Sequence, residues 1–333
     1  MNTSSIKHNE LIALQNIEGC GVATTRKICE YINGRQVDIT MPNDFFRLIP
    51  ELKNKKVIKG KLSNLSLYDI DNAYKKAKVI IENSLKREIG IFSIYDSEYP
   101  EALKSTIDEN GKLDAPLLLY YRGNISALKM PTIAIIGTRE PNNDGMIAGR
   151  YFGKAFSELG FNIVSGLAMG CDSCGHEGAL DGKGITTAFL AHGLDTIYPS
   201  QNKELAESII INGGLLLSEY PVGTQVSRFS LVARDRLQAG LALATLVIQT
   251  GVKGGTIHAA NTTLLAEKPL YAVMYKDMSA HQVQGNIALV NRGAKFITSN
   301  DVQMVADSIQ NSHNNGQNTQ TTIIEPTLFS NIE

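Results

Sequence analysis

Six times between residues 132 and 274 the chain repeats one arrangement, a short apolar, β-rich run followed by a helix-length segment. The runs are TIAIIG (132–137), FNIVSG (161–166), ITTAFLA (185–191), GLLLSEY (214–220), TLVIQT (245–250) and PLYAVM (269–274). A strand that is apolar on both faces must be covered on both, and a helix after each strand brings the chain back to start the next one parallel to the last. The predicted fold is therefore α/β, a Rossmann-like, doubly wound and mostly parallel sheet. With 333 residues, 43% of them apolar, the chain has material for that domain and for a second, smaller one.

The smaller part comes first. Residues 1–87 read as a helical domain. Leu11, Leu14 and Ile17, then Val22, Ile28 and Ile32, fit short amphipathic helices broken at Glu18–Gly21, and Ile70, Ala73, Tyr74, Ala77 and Ile81 line one face of a helix over about 67–85. Between them KNKKVIKGK, with five lysines from Lys53 to Lys61, reads as a solvated basic loop rather than a phosphate patch. Residues 88–308 form the sheet domain. Residues 309–333 make a polar, Asn/Gln-rich tail with too little apolar surface to fold; disorder is expected there, with IIEPTLF (323–329) a candidate docking peptide.

In an open α/β sheet, ligands sit outside the carboxyl ends of the strands, where loops enter helix N-termini. The residues just after each strand are therefore the candidates. Gly137, Thr138 and Arg139 follow the first run, offering bare backbone, a hydroxyl and a guanidinium. Ser165, Gly166 and Gly170 follow the second, with Asp172 available to cap a helix. Further on stand Arg234 and Arg236, which share one groove if the backbone there is extended and otherwise make surface salt bridges, one of them to Asp235. Last comes Lys253 with Gly254, Gly255 and Thr256, a nest of backbone N–H groups beside an ammonium.

Several chemistries lack their motif. The lysine precedes the glycines, so KGGT is not a Walker A loop, and SGLAMG has no G-x-G-x-x-G spacing. There is no G-x-S-x-G elbow and no H-E-x-x-H; His176, His192 and His258 read as cap or surface residues, and no catalytic constellation emerges. Cys171 and Cys174 form a C-x-x-C with His176 close behind, but no second pair of ligands accompanies them, so neither metal nor cofactor is expected. The formal net charge of −1 confines any nucleic-acid site to a local patch. No apolar stretch is long enough to span a bilayer and no signal-type segment opens the chain, so a soluble cytoplasmic protein is expected.

Taken in order, the segments resemble the bacterial DNA-processing protein A (DprA/Smf) family. AIIGTRE is similar to its G-S-R motif, and SGLAMGCDSCGHEGAL matches its S-G-x-A-x-G-I-D-x-x-A-H-x-x-A-L pattern at Ser165, Gly166, Ala168, Gly170, Asp172, His176, Ala179 and Leu180. LAHGLDTIYPSQNKEL, GGLLLSEYPVG, RDRLQAGL and QGNIALVNRGA continue the match. IEGCGVATTRKI is similar to a helix-hairpin-helix turn of the family's small helical (SAM-like) domain, which serves either DNA contact or packing.

The resemblance implies a non-enzymatic protein that binds and protects single-stranded DNA and loads it with the RecA recombinase during DNA uptake or recombination, as a homodimer. Arg139 is similar to the family's phosphate-binding arginine, Arg234 and Arg236 stand at its R-N-R, and KGGT stands at its K-S-G-S. Departures are Asp235 for the asparagine between the arginines, Leu231 for a phenylalanine with Phe229 nearby, Gln249 for glutamate and Gly255 for serine. Two other readings compete. One is a nucleotide sensor or nucleotide phosphoribohydrolase, whose carboxylate would be Glu219 or Asp172. The other is an interaction protein in phage defence that recruits a partner through its tail.

Overall fold

The computed structural model describes residues 6–37 and 39–320. Four helices open the chain: α1 (His8–Gln15), α2 (Val22–Arg35), α3 (Pro42–Asn54) and α4 (Leu67–Leu85). A hairpin follows, β1 (Gly90–Ser93) and β2 (Leu118–Gly123), with the short α5 (Glu101–Lys104) between its strands. The alternating part then runs β3 (Thr132–Ile136), α6 (Asn143–Glu158), β4 (Asn162–Ser165), α7 (Cys171–Asp181), β5 (Thr186–Leu190), α8 (Lys203–Ile211) and β6 (Leu215–Ser218). It continues through α9 (Arg228–Leu241), β7 (Ala244–Val247), α10 (Gly255–Leu265), β8 (Leu270–Val273), α11 (Gln284–Val290), β9 (Lys295–Ile297) and α12 (Val302–Gln320).

All nine strands join one sheet in the order β1-β2-β6-β5-β4-β3-β7-β8-β9. β3 to β9 pair in parallel, with Ile133 level with Ile163 on one side and Ala244 on the other, whereas β2 runs antiparallel to β6 and β1 antiparallel to β2. The doubly wound sheet expected from the six apolar runs is present. The hairpin and β9 extend it beyond those runs; β9 has only three residues, too few for a hydrophobic period to register.

Successive strand residues point to opposite faces. Ile163 joins the layer under α6 with Phe152 and Phe156, and the next residue, Val164, joins the layer under α9 with Leu237 and Leu241. The N-terminal helices do not form a separate core. Leu11, Ile28, Phe45, Leu52 and Ile70 cluster with Leu118, Tyr120, Leu190 and Leu216 of the sheet. Polar ties reinforce this junction: His8 Nε2 lies 2.6 Å from Asp96 Oδ2, and Arg26 donates to the carbonyl of Ala115.

At the other end α12 runs past the boundary expected at 309. Val302, Val305, Ala306 and Ile309 continue a helical apolar period and are buried against the sheet layer, and Gln310 Nε2 donates to the Leu159 carbonyl at 3.3 Å. Composition over the window hides this, because a single buried isoleucine, worth roughly 1.5–3 kcal/mol, outweighs polar neighbours on the other face. The peptide at 323–329 lies outside the described residues. No described helix is long and apolar enough to cross a membrane.

Candidate phosphate-binding pocket

The sheet order reverses at β3: the chain winds outward through β4, β5 and β6 on one side, then returns to place β7 on the other. A crevice opens at such a switch point, outside the carboxyl ends of the two central strands. Here it is a pocket of about 310 Å³ lined by Gly137, Thr138 and Arg139 after β3, Ala168 and Asp172 after β4, Arg234, Asp235 and Gln238 of α9, and Lys253 to Thr256 at the entry to α10.

The loop after β3 is pinned from two sides. Thr138 N–H donates to Gln249 O at 2.7 Å, and Cys171 N–H donates to Thr138 O at 3.1 Å. Gln249 is fully buried; its Nε2 donates to Asn142 Oδ1 at 2.7 Å while its Oε1 accepts from Asn142 N–H at 3.1 Å. A neutral amide suits this exchange because it gives and accepts at once. The loop after β7 hangs on Asn286, whose Oδ1 accepts from Thr250 N–H at 3.0 Å and whose Nδ2 donates to Ile248 O at 2.8 Å and Val273 O at 3.0 Å. Asn286 lies inside the QGNIALV segment, whose sequence carries no sign of this task.

Gly254 caps α10 with φ +132° and ψ 177°, a backbone region that side-chain-bearing residues avoid. No side chain caps α10, and Gly254, Gly255 and Thr256 line the pocket, so the free amides of this helix start offer an anion seat there. Arg139 and Lys253 stand exposed at its rim, with no ion pair among the described residues.

Other candidates fall elsewhere. Ser165 is buried, with its hydroxyl donating to Ile135 O at 2.6 Å. Gly166 N–H donates to Asp172 Oδ2 at 3.1 Å, and its carbonyl accepts from Arg234. Gly170, at φ +82°, lets its backbone pass the Thr138 and Arg139 carbonyls, where a Cβ would come within 2.5 and 2.6 Å. These three shape the pocket wall from behind.

Arg234 and Arg236 do not share a groove, because the backbone there is helical and not extended. Arg234, 4% exposed, turns its Nη1 to the Phe189 carbonyl at 2.6 Å and its Nε to Asp235 Oδ1 at 3.0 Å, at the pocket floor. Arg236 leaves on another face and meets both oxygens of Glu219 at 2.7 and 2.6 Å and Asp114 Oδ2 at 2.6 Å. It does not line the pocket, and neither does Glu219. Burial pushes Asp235 up to about 6 even with Arg234 beside it, and burial also raises Asp172, which accepts from the amides of Gly166 and Ala168.

Two of the three histidines are placed differently from expectation, and His258 is at the surface as expected. His176 is not a cap or surface residue; it is buried, its Nδ1 2.6 Å from Thr186 Oγ1, and burial holds it down to about 3. His192 is also buried, while His258 sits 3.1 Å from Glu109. Among the described residues no group of three or more His, Cys, Asp or Glu side chains is arranged to hold a metal. Phe229 is 89% exposed at the start of α9, and Leu231 lines a smaller hollow with Arg139, Met169 and Tyr198. The turn between α1 and α2 carries Glu18, paired at 2.8 Å with Lys61 of the basic loop.

The family model for DNA recombination-mediator protein A matches residues 90–308. DNA processing protein DprA of Streptococcus pneumoniae is 34% identical over 208 residues, covering 62% of this chain and 71% of that one. Protein Smf of Synechocystis is 37% identical over 188 residues, covering 55% of this chain and 47% of the relative, so the match spans about half the relative's length. Among solved structures, DNA processing protein A of S. pneumoniae superposes with a TM-score of 0.71 at 27% identity, covering 90% of this chain and 98% of that one. The Helicobacter pylori protein, described for its single-stranded DNA binding mode, gives a TM-score of 0.58 at 26% identity over 68% of this chain and 97% of its own.

Proposed function

This chain belongs to the DNA recombination-mediator protein A family, and from that premise we propose that it binds single-stranded DNA at the switch-point pocket and hands the strand to the RecA recombinase, acting as a homodimer and without turnover. One observation carries the reading: Arg139, Lys253 and the uncovered amides at the start of α10 converge on one opening. That set offers two mobile positive charges and fixed N–H donors to a phosphate and nothing that grips a particular sequence at the rim. The single-strand binding described for the Helicobacter relative supports the choice of ligand.

Hydrolysis of a nucleotide has weaker support, since Glu219 is locked to Arg236 outside the pocket and Asp172 is occupied by two backbone amides. The test is anisotropy of a labelled oligo-dT strand and of a duplex, each at two salt concentrations. Tight, salt-sensitive preference for the single strand supports the proposal; absence of binding at low salt defeats it. Addition of RecA then shows whether filament formation is accelerated, and release of free base from nucleoside monophosphates would return the hydrolase reading.

A further inference from the structure

The net charge of −1 conceals a division. Residues 1–87 carry fifteen Lys and Arg against nine Asp and Glu, a net of +6, while residues 88–333 carry seventeen against twenty-four, a net of −7. Charge divided in this way marks the positive part for a polyanion. The switch-point pocket belongs to the other part, and none of the residues that line it comes from the helical segment.

The positive charge gathers at the end of α3, where Lys53, Lys55, Lys56, Lys59 and Lys61 are all exposed. The turn that carries them is fixed. Lys56 N–H donates to Lys53 O at 3.0 Å and Val57 N–H to Leu52 O at 2.9 Å, the paired bonds of a Schellman stop, and Ile58 and Leu62 are buried. Lys56 takes φ +58°, the left-handed position that favours glycine. Compensation of the α3 dipole accounts for Lys53 and Lys55. It does not account for a lysine in a glycine position, nor for Lys59 and Lys61 further along.

The neighbouring acids leave this charge open. Lys53, Lys55, Lys56 and Lys59 make no ion pair among the described residues, and the pair of Lys61 with Glu18 joins side chains that are 83% and 84% exposed. Glu51 is held by Arg35 and Tyr31, and Asp69 caps α4 through Ser66. Lys61 shares a hollow of about 450 Å³ with Lys76 of α4, so the basic area continues onto that helix.

We propose that this lysine turn is a second nucleic-acid surface, one that grips the phosphate backbone of duplex DNA. Lysine meets phosphate as a point charge and reads no base. Residues 53–61 contain no aromatic side chain on which an unpaired base could stack, whereas a duplex offers a charge about every 1.7 Å along its axis. The inference goes beyond the single-strand reading, and either can fail alone.

The experiment is anisotropy of a labelled blunt duplex and of labelled oligo-dT at low salt, with the full chain and with Lys53→Gln/Lys55→Gln/Lys56→Gly/Lys59→Gln. These positions are exposed and glycine suits the backbone at 56, so the variant should fold. Its duplex affinity should fall about tenfold or more, and the slope of log K against log salt should flatten by about 0.9 for each lysine that meets a phosphate. Oligo-dT binding should be unchanged, and Arg139→Ala/Lys253→Ala should leave duplex binding as it was. Absence of duplex binding by the full chain, or equal duplex binding by the fourfold variant, overturns the proposal. Equal loss for both DNAs would put the single strand on the lysines and overturns it too, as does a variant that loses binding to phosphatidylserine vesicles but not to duplex. Lysine-dependent duplex binding without oligo-dT binding sinks the function proposed above and leaves this one standing. Lys59→Gln alone tests the same point, with a slope change of about 0.9, if the fourfold variant does not fold.

Discussion

Arg236 holds Glu219 with both terminal nitrogens, at 2.7 and 2.6 Å, and the pair is almost wholly withdrawn from solvent, with side-chain exposures of 9% and 13%. This links α9 to the end of β6. Removing one member leaves a buried charge without its partner. Arg236→Ala should lower unfolding free energy by about 3–5 kcal/mol, read by urea denaturation, while the folded fraction keeps most of its DNA affinity. A loss of affinity with unchanged stability would place Arg236 on the DNA.

Arg139 and Lys253 should show the reverse pattern. Both are exposed at the rim and make no ion pair among the described residues, so the Arg139→Ala/Lys253→Ala protein should fold as well as the wild type. Its affinity for oligo-dT should fall, and the slope of log K against log salt should flatten by about 1.4, two single-strand phosphate contacts. An unchanged slope would mean that the strand passes elsewhere.

Gln249→Glu sets a carboxylate against Asn142. An ionised carboxylate cannot donate to Asn142 Oδ1, which already caps α6 by accepting from Gly145 N–H at 3.0 Å. The variant should be less stable by roughly 1–3 kcal/mol at neutral pH, with recovery in acid as the carboxyl regains its proton. Thermal denaturation at two pH values reads both effects.

His176 gives the protein an acid sensitivity. Its folded value of about 3 lies below its ordinary 6.5 because burial disfavours the cation and Arg234 repels it. Between those values the unfolded chain binds a proton that the native one refuses, so stability falls as pH drops from 6.5 toward 3. Each unit of difference is worth about 1.4 kcal/mol. His176→Gln should show a shallower decline over that window; an identical profile would trace the loss to other groups.

The sheet and the glycine-lysine loop were legible because apolar runs and their punctuation are local. The mismatch at Arg234 and Arg236 was also within reach: on a helix, Arg234, Asp235 and Gln238 share a face by their spacing of one, three and four, and Arg236 leaves it. That follows only once 228–241 is read as one helix, and its small, buried residues blur the amphipathic pattern. The roles of Asn286 and Glu219 were not legible, since each depends on a partner brought close by the sheet order. Sequence separation hides such pairs.

The shared core of the N-terminal helices and the sheet bears on how the molecule is handled. Leu118 and Tyr120 of β2 and Leu216 of β6 lie in one buried cluster with Leu11 of α1, the helix that packs on the hairpin, and with Phe45, Leu52 and Ile70 behind it. Cutting the chain at 88 would bare the apolar residues that α1 covers along the β1–β2 side, so the fragment should be less soluble on expression than the whole chain. The whole chain should melt in one cooperative step, with no plateau for the helical segment.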